Sequence, residues 1–485
     1  MSPRYKDFLE QPILSLSESD ILNGRAFVNG GTLITGDSGV GKSSTSLRQI
    51  ISGLMRAGAG GVLHTVKPED TANYIAYARE CGREDDVIVF NEESGLQFDP
   101  LAYEWDRKTG RGAGMTEACI DYFSTLLSIG KPHGGSGENR FWELAAESVM
   151  RTAIHLIKLA QEPLSIINIA RAITSFPARP EEQEEEHWRN NSYTASLIEA
   201  IRDRRATLSE SQWEDLETAT DSAFTYWANL DPRPRSSIQA TFSGLADKFM
   251  YHPMRHIFAS GRYSFTPEQT THERKIIIID FPVNEYGKET ATLIQIMVKL
   301  TFQRAWLRHK YTPGCCHGGF IIQDEFQLLT SRFESFFAQT CRSSGIAMVC
   351  ATQSILGLAD QLGESQPGSK TKGFLNLLTL KIAHRTTCFD TATYFADTIG
   401  KEWHYVPNFN AGSGQESGHG HTNVGGSEQL LHIVDPIEFT RLESPDGNNP
   451  RATAIVYRGG EIFNATKTER NPQGQNFLRV AFTRE

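Results

Sequence analysis

The stretch Gly30 to Thr45, GGTLITGDSGVGKSST, constrains this chain more than any other. A short apolar run, Thr32-Leu33-Ile34-Thr35, leads into Gly36-Asp37-Ser38-Gly39-Val40-Gly41-Lys42-Ser43, which fits G-x-x-x-x-G-K-[ST] at every fixed position. The pattern predicts a strand before the motif and a helix after it, from Ser44 to Met55. Glycines let the backbone close round a phosphate so that several N–H groups point inward. The helix N-terminus adds the positive end of its dipole. Lys42 then reaches the β- and γ-phosphates, and the Ser43 hydroxyl takes Mg²⁺. The spacing therefore predicts a nucleoside triphosphate site built on Gly36, Asp37, Ser38, Gly39, Val40, Gly41, Lys42, Ser43 and Ser44.

The flanking pattern fits that site. Gly61 to Val66 and Asp86 to Phe90 read as strands, with a helix over Asp70 to Cys81 between them and a lead-in helical turn at Ser17 to Leu22. Alternation of this kind predicts an α/β fold, a parallel sheet with helices on both faces. Near Met115 the strands stop. From there to about Pro253 the periodicity is helical: Phe141 to Ala160 is apolar almost all round, Leu208 to Leu230 spaces its large residues by three to five, and Ser236 can cap a further helix. The acidic run Arg179 to Asn191 reads as a solvated loop.

Strands return at Lys275 to Asp280, Gly319 to Gln323, Ile346 to Ala351 and Ala452 to Tyr457, with helices near Thr290 to His309 and Phe333 to Arg342. Asn408 to Gln429, rich in Gly, Ser, His and Asn, reads as a mobile loop.

A P-loop needs a carboxylate on a neighbouring strand to hold the metal, and a group to orient the attacking water. Two strands end in Asp. IIIID ends at Asp280 and GFIIQDE ends at Asp324-Glu325. The second is preferred, with Asp324 on the metal and Glu325 polarising water, because Asp280 has no acidic neighbour. Gln323 stands where an apolar residue is usual. The next strand ends in Thr352-Gln353-Ser354, and Gln353 is placed to contact the γ-phosphate. Arg342 is the first candidate for a cation supplied to a neighbouring subunit, and Arg385 the second. Lys42 and Asp324 must meet at one phosphate. The helical stretch is therefore an insertion: 1–115 and 254–485 form two halves of one nucleotide domain around an all-α domain, 116–253.

Composition narrows the class. With 485 residues, 39% hydrophobic and 22% charged, the chain has the make-up of a soluble globular protein of two or three domains. No apolar run approaches the roughly 18–20 residues that span a bilayer, and the N-terminus lacks a signal-peptide core. Seven cysteines without regular spacing fit reduced thiols in a cytosol. The net charge of −10 excludes a general basic coat for nucleic acid but not a local basic channel. Cys315-Cys316-His317 suits tetrahedral zinc poorly. His419 and His421 read as loop residues, and Arg233, Arg235, Lys248, Arg255 and Arg262 as a scattered solvated face.

The order P-loop, VKPED, FDPLAY, RFWELAAESV, IIIIDFP, IIQDEFQ, CRSSGIAMVCATQS and KIAHR resembles the coupling-protein ATPases of type IV secretion and conjugation (TraG/TraD-like), relatives of the FtsK and HerA translocases. The resemblance covers about residues 30 to 460. It implies a RecA-like P-loop NTPase sheet with an inserted all-α domain. It further implies a cytoplasmic homo-oligomeric ring, hexameric, that hydrolyses ATP with Mg²⁺ at subunit interfaces. Such a ring moves DNA or a nucleoprotein, without base-specific reading. The implied site has Lys42 and Ser43 on phosphate and metal, Asp324 and Glu325 in the second motif, Gln353 as sensor and Arg342 acting in trans. Two departures stand out. The family's N-terminal membrane anchor has no counterpart here, so docking on a secretion channel at the inner membrane would need a partner, relaxosome-like or otherwise. The family's acidic residue before Lys-Gly-Glu is Thr65, and the element reads Lys67-Pro68-Glu69. The other class to be weighed is a nucleotide-gated scaffold or recruitment module with little translocation.

Overall fold

A computed structural model describes residues 6–107, 115–129, 137–412, 421–446 and 449–484, with 137–143, 408–412 and 421–424 described in backbone alone. The strands in chain order are β1 (Pro12–Ser15), β2 (Ile21–Asn23), β3 (Thr32–Thr35), β4 (Gly60–His64), β5 (Val87–Phe90), β6 (Ile276–Ile279), β7 (Gly319–Gln323), β8 (Ile346–Thr352), β9 (Leu380–Ala383), β10 (Lys401–Gly412), β11 (His421–His432), β12 (Arg451–Arg458) and β13 (Phe477–Thr483). Nine of them form one sheet in the order β13-β12-β9-β3-β8-β7-β4-β6-β5. From β9 to β5 every pairing is parallel, and β12 and β13 close one edge antiparallel.

The central strands read as unbroken apolar runs because both faces are covered. Alternate residues feed two cores. Ile34, Leu63, Ile278, Ile322 and Val349 face the helix Arg48–Arg56 and the N-terminal hairpin. Leu33, Val62, Ile277, Ile321 and Met348 face the other way, toward the helix Lys288–Leu307. That second core is continuous with the helical stretch: Met150, Ile154, Ile169, Trp227 and Phe249 belong to the same buried cluster. Between β5 and β6 the described residues hold helices, helical turns and loops and no strand. No helix among the described residues is long and apolar enough to cross a membrane.

Several local expectations give way. Ser17 to Leu22 is not helical but the turn and second strand of a β1–β2 hairpin. Ser17 Oγ donates to Asp20 Oδ2 (2.8 Å) and accepts from the Asp20 amide (3.0 Å), local bonds that compete with a helix. The helix expected at a Ser236 cap begins at Pro232, whose ring fixes φ for the first turn, and Ser236 bonds back to Pro232 O instead. Part of the acidic run is ordered as a helical turn Pro180–Glu184 and a helix Glu186–Asn191, both without a buried residue.

The Gly-rich segment 408–429 is not a loop at its flanks. It belongs to a two-stranded antiparallel ribbon, β10 against β11, with Lys401 opposite His432 and Gly412 opposite His421. Its composition hid the pairing. Gly426 makes room for the Tyr405 ring, whose Cζ lies 2.0 Å from where a Cβ would stand, so an aromatic covers a bare strand position. His419 lies outside the described residues. Strands β9 and β13 have no counterpart in the sequence reading.

One close approach in the sheet is testable. Gly61 in β4 lies under β7, where an added Cβ would sit 2.2 Å from Phe320 O and 2.5 Å from Phe320 Cδ2. Gly61→Ala should cost about 1–3 kcal/mol, as overpacking does. Urea unfolding of wild type and variant measures it, and an unchanged midpoint would refute the packing account.

Candidate nucleotide site

The P-loop caps the carboxyl end of β3, at the same edge of the sheet as the ends of β7 and β8. Three of its glycines have positive φ: Gly36 (153°), Gly39 (77°) and Gly41 (93°). At Gly36 a Cβ would meet His384 Cβ at 2.8 Å, so the loop is packed from below, whereas at Gly39 it would meet nothing within 4 Å. Asp37 ties the loop to the segment after β9: it accepts from Thr386 Oγ1 (3.2 Å) and the Thr387 amide (2.8 Å), while its own amide donates to Arg385 O (2.9 Å). The expected helix is present, but Ser43–Leu47 forms a π-type turn before the α-helix Arg48–Arg56, with Leu47 N donating to Lys42 O.

Lys42 is buried and folds back over the loop, Nζ donating to Gly36 O (2.6 Å) and Asp37 O (2.9 Å). Burial lowers its pKa, against the opposing charges of Asp324 and Glu325. Ser43 Oγ donates to Asp324 Oδ2 at 2.5 Å. Burial also pushes the Asp324 carboxyl up, the Ser43 bond pulls it back, and the Glu325 charge raises it further. A hydroxyl and a carboxylate paired in this way are hard oxygen donors suited to Mg²⁺.

Glu325 follows in a left-handed conformation (φ 50°), which for a non-glycine residue costs roughly 1–3 kcal/mol. The turn aims its carboxylate at two amide side chains. Gln353 Nε2 donates to both oxygens at 3.2 Å, and Gln327 Nε2 donates to Oε2 at 2.7 Å. Thr352 Oγ1 fixes Gln327 in turn (2.7 Å).

The structure thus brings together Lys42, Ser43, Asp324, Glu325 and Gln353. The strand that ends in Gln353 lies between the P-loop strand and the Asp324 strand. Asp280 stays apart: it accepts from Thr71 Oγ1 (2.6 Å) and Asn91 Nδ2 (3.0 Å), as a polar strand end does. Arg342 is not in this chain's own site. It lies exposed in the turn Cys341–Ser344 that precedes β8, about 20 Å from Gln353 by strand length. Arg385 stands beside the P-loop. Of the basic residues near the exit of the insertion, Arg235 holds Ala178 O (2.6 Å) and Lys248 pairs with Glu289 (3.1 Å). Among the described residues no group of three or more His, Cys, Asp or Glu could hold a metal.

Sequence reasoning missed Gln327 and Lys67. Lys67 sits just beyond β4, close enough for its charge to act on both Lys42 and Asp324. The departure at Lys67-Pro68-Glu69 was the available signal. It also missed His384, fully buried beneath the P-loop, whose Nε2 meets Ser46 Oγ at 2.8 Å.

Comparison with known proteins follows the same lines. Residues 320–444 match a family described as the TraM recognition site of TraD and TraG. The fold matches the plasmid coupling protein TrwB in complex with ADP and Mg²⁺, with TM-score 0.61 and 13% identity, covering 99% of this chain and 94% of that one. TrwB with the GTP analogue GDPNP matches with TM-score 0.60 and 13% identity, covering 100% and 97%. The unbound monoclinic form of the bacterial conjugative coupling protein TrwBdeltaN70 matches with TM-score 0.59 and 12% identity, covering 96% and 88%. Residues 320–444 are thus similar to that region of TraG and TraD. The sheet is the RecA-like α/β fold of those coupling proteins. No curated protein matches.

The histidine beneath the P-loop yields a prediction. Burial lowers the pKa of His384, like that of His64, from 6.5 to about 3. The folded state therefore refuses a proton that the unfolded chain accepts below pH 6.5. This stability is present above pH 6.5 and is lost as pH falls. Between pH 7 and 5 the loss is about 2 kcal/mol per histidine. Carboxylates titrate nearby, so the difference between wild type and His384→Gln isolates one group. The pH dependence of the urea midpoint should shrink in the variant, and an equal dependence would refute the assignment.

Proposed function

We propose that this chain is an ATP-driven motor of conjugation or type IV secretion. It assembles as a homo-oligomeric ring, a hexamer, and moves DNA, or a nucleoprotein, through its centre. The observation that carries this reading is the constellation of Ser43, Asp324, Glu325 and Gln353 on three adjacent strand ends. The likeness to nucleotide-bound coupling proteins supports it.

In this reading Lys42 leaves the loop carbonyls to hold the β- and γ-phosphates. Mg²⁺, held by Ser43 and Asp324, offsets phosphate charge when bound. Glu325 accepts the proton of the attacking water, and Gln353 and Gln327 keep its carboxylate aimed. Gln353 also registers the γ-phosphate, since it joins the nucleotide edge to β8. Arg342, which its own chain holds far from the site, completes the site of a neighbouring subunit. The residues 116–253 act as a helical domain inserted between the two halves of the nucleotide domain, 1–115 and 254–485. The match over residues 320–444 supports a relaxosome-like protein partner, and the ring works in the cytoplasm, reaching the inner membrane through partners.

The scaffold reading is favoured by one observation. Within the matched region Trp403 and Tyr405 stand 69% exposed on the β10–β11 ribbon, which suits recruitment of a protein. The two readings separate in an ATPase assay with single- and double-stranded DNA, over protein concentrations that span assembly. The motor reading predicts stimulation by DNA that steepens with protein concentration. It also predicts that Glu325→Gln lowers kcat by about 10²–10⁴ while nucleotide binding persists. A low rate that ignores both DNA and this substitution would overturn it in favour of the scaffold.

A further inference from the structure

The helix Lys288–Leu307 crosses one face of the sheet and buries three polar side chains spaced by four, Gln295, Lys299 and Gln303, all at 0% exposure. Gln295 has a structural account. It closes the ends of β4 and β6, donating to Thr65 O (2.9 Å) and Ile279 O (3.0 Å). Lys299 does something different. Its Nζ donates to Gln323 Oε1 (3.2 Å), to Leu329 O and to the Glu334 carboxylate. The other Glu334 oxygen accepts from Gln303 Nε2 (3.0 Å), and Ser331 Oγ donates to the first (3.3 Å).

Those three acceptors lie on one continuous segment. Gln323 is the last residue of β7, Leu329 ends the short helix Phe326–Leu329, and Glu334 opens the helix Glu334–Thr340. A single buried ammonium therefore grips both ends of the stretch that contains Asp324, Glu325 and Gln327. It also lies 5.9 Å from the centroid of the Phe326 ring, inside that stretch. We infer that Lys299 and Glu334 form a clasp that positions the Asp324–Glu325 turn for hydrolysis. Neither side chain hydrogen-bonds to Asp324 or Glu325, so both are positioning residues.

Two physical arguments support this. A left-handed non-glycine residue such as Glu325 persists only where its surroundings over-determine it. A buried ion pair, in contrast, adds little stability, because packed apolar side chains of similar volume do as well or better. The clasp has a cost in folding that its position at the catalytic turn explains. It also accounts for the one polar residue in an otherwise apolar strand, Gln323.

The inference rests on the ATPase reading above, and its test keeps the two apart. The full chain is prepared as wild type, Lys299→Arg, and the double variant Lys299→Met/Glu334→Leu, in which no buried charge is left unpaired. Urea midpoint, nucleotide affinity, kcat and amide exchange over residues 324–328 are measured for each. The clasp predicts a double variant that still folds, its midpoint lowered because Gln303 Nε2, Gln323 Oε1 and Leu329 O lose a partner, with unchanged nucleotide affinity. Its kcat should be about tenfold to a hundredfold lower, as a small misplacement of a reacting group costs. Exchange at 324–328 should rise, and Lys299→Arg should recover part of kcat. A stable double variant with wild-type kcat and unchanged exchange at that turn would overturn the clasp. A wild type that binds but never hydrolyses ATP would overturn the ATPase reading, and the exchange data would then decide the clasp alone.

Discussion

The hydrogen bond from Ser43 to Asp324 joins residues 281 positions apart, and the candidate nucleotide site depends on it. Loop closure over such a distance costs entropy that one hydrogen bond cannot offset. The parallel ladder does so. β7 pairs with β8 and β8 with β3, all in register and fully buried, so the two segments are held before their side chains touch. The helical stretch between β5 and β6 can then be long without loosening the site, because it leaves and rejoins the sheet at adjacent strands, β5 and β6.

The carboxyl edge of the sheet carries much of this fold's buried polarity. His64, Thr65, Gln295, Lys299, Gln323 and His384 are all fully buried at or behind that edge. Each has at least one hydrogen-bond partner, which offsets part of the desolvation cost, while His64 Nε2 and His384 Nδ1 have none. The opposite ends carry a smaller network, in which buried Arg83 pairs with Asp86 and donates to Met55 O, Ala59 O and Arg274 O. Buried polarity of this kind gives charged side chains a low-dielectric but hydrogen-bonded surrounding. Small displacements there change electrostatic interactions strongly.

How much of this was legible follows from the range over which each interaction acts. The P-loop, the strand before it and the Asp324-Glu325 ending are local patterns with fixed spacing, and each lies where the sequence places it. The sheet order could be expected only in part: Gln353 beside the carboxylate strand is observed, while β9, a polar-flanked four-residue strand, carried no distinct period. Side chains that act across the fold were invisible. Lys299 looks like any helix lysine, and only the misfit of Gln323 hinted that a charge lay behind it. The β10–β11 ribbon was misread because glycine and serine signal a loop, although a cross-strand aromatic over a glycine restores the pairing. Ser17, Ser236 and the acidic run failed for a simpler reason. Their side chains bond locally or face water, so periodicity says little about them.

The position of Arg342 gives the last step. A phosphoryl-transfer site of this type gains from a cation at the transition state. Within the chain, Lys42 and Lys67 are the lysines whose charges bear on Asp324, and Lys42 is already committed to the loop. Arg342 stands at the other end of β8, where strand length alone keeps it from its own Gln353. Yet β8 is a single, fully buried strand with Gln353 at one end and this arginine at the other. Glu334, one half of the Lys299 clasp, opens the helix that leads directly into the Arg342 turn. In the ring reading, a shift at the candidate nucleotide edge of one chain would be carried, through β8 and through that helix, to the surface offered to a neighbour. Sites that fire in turn around a ring need such a link, and in the ring reading these two short elements, rather than a flexible linker, would supply it.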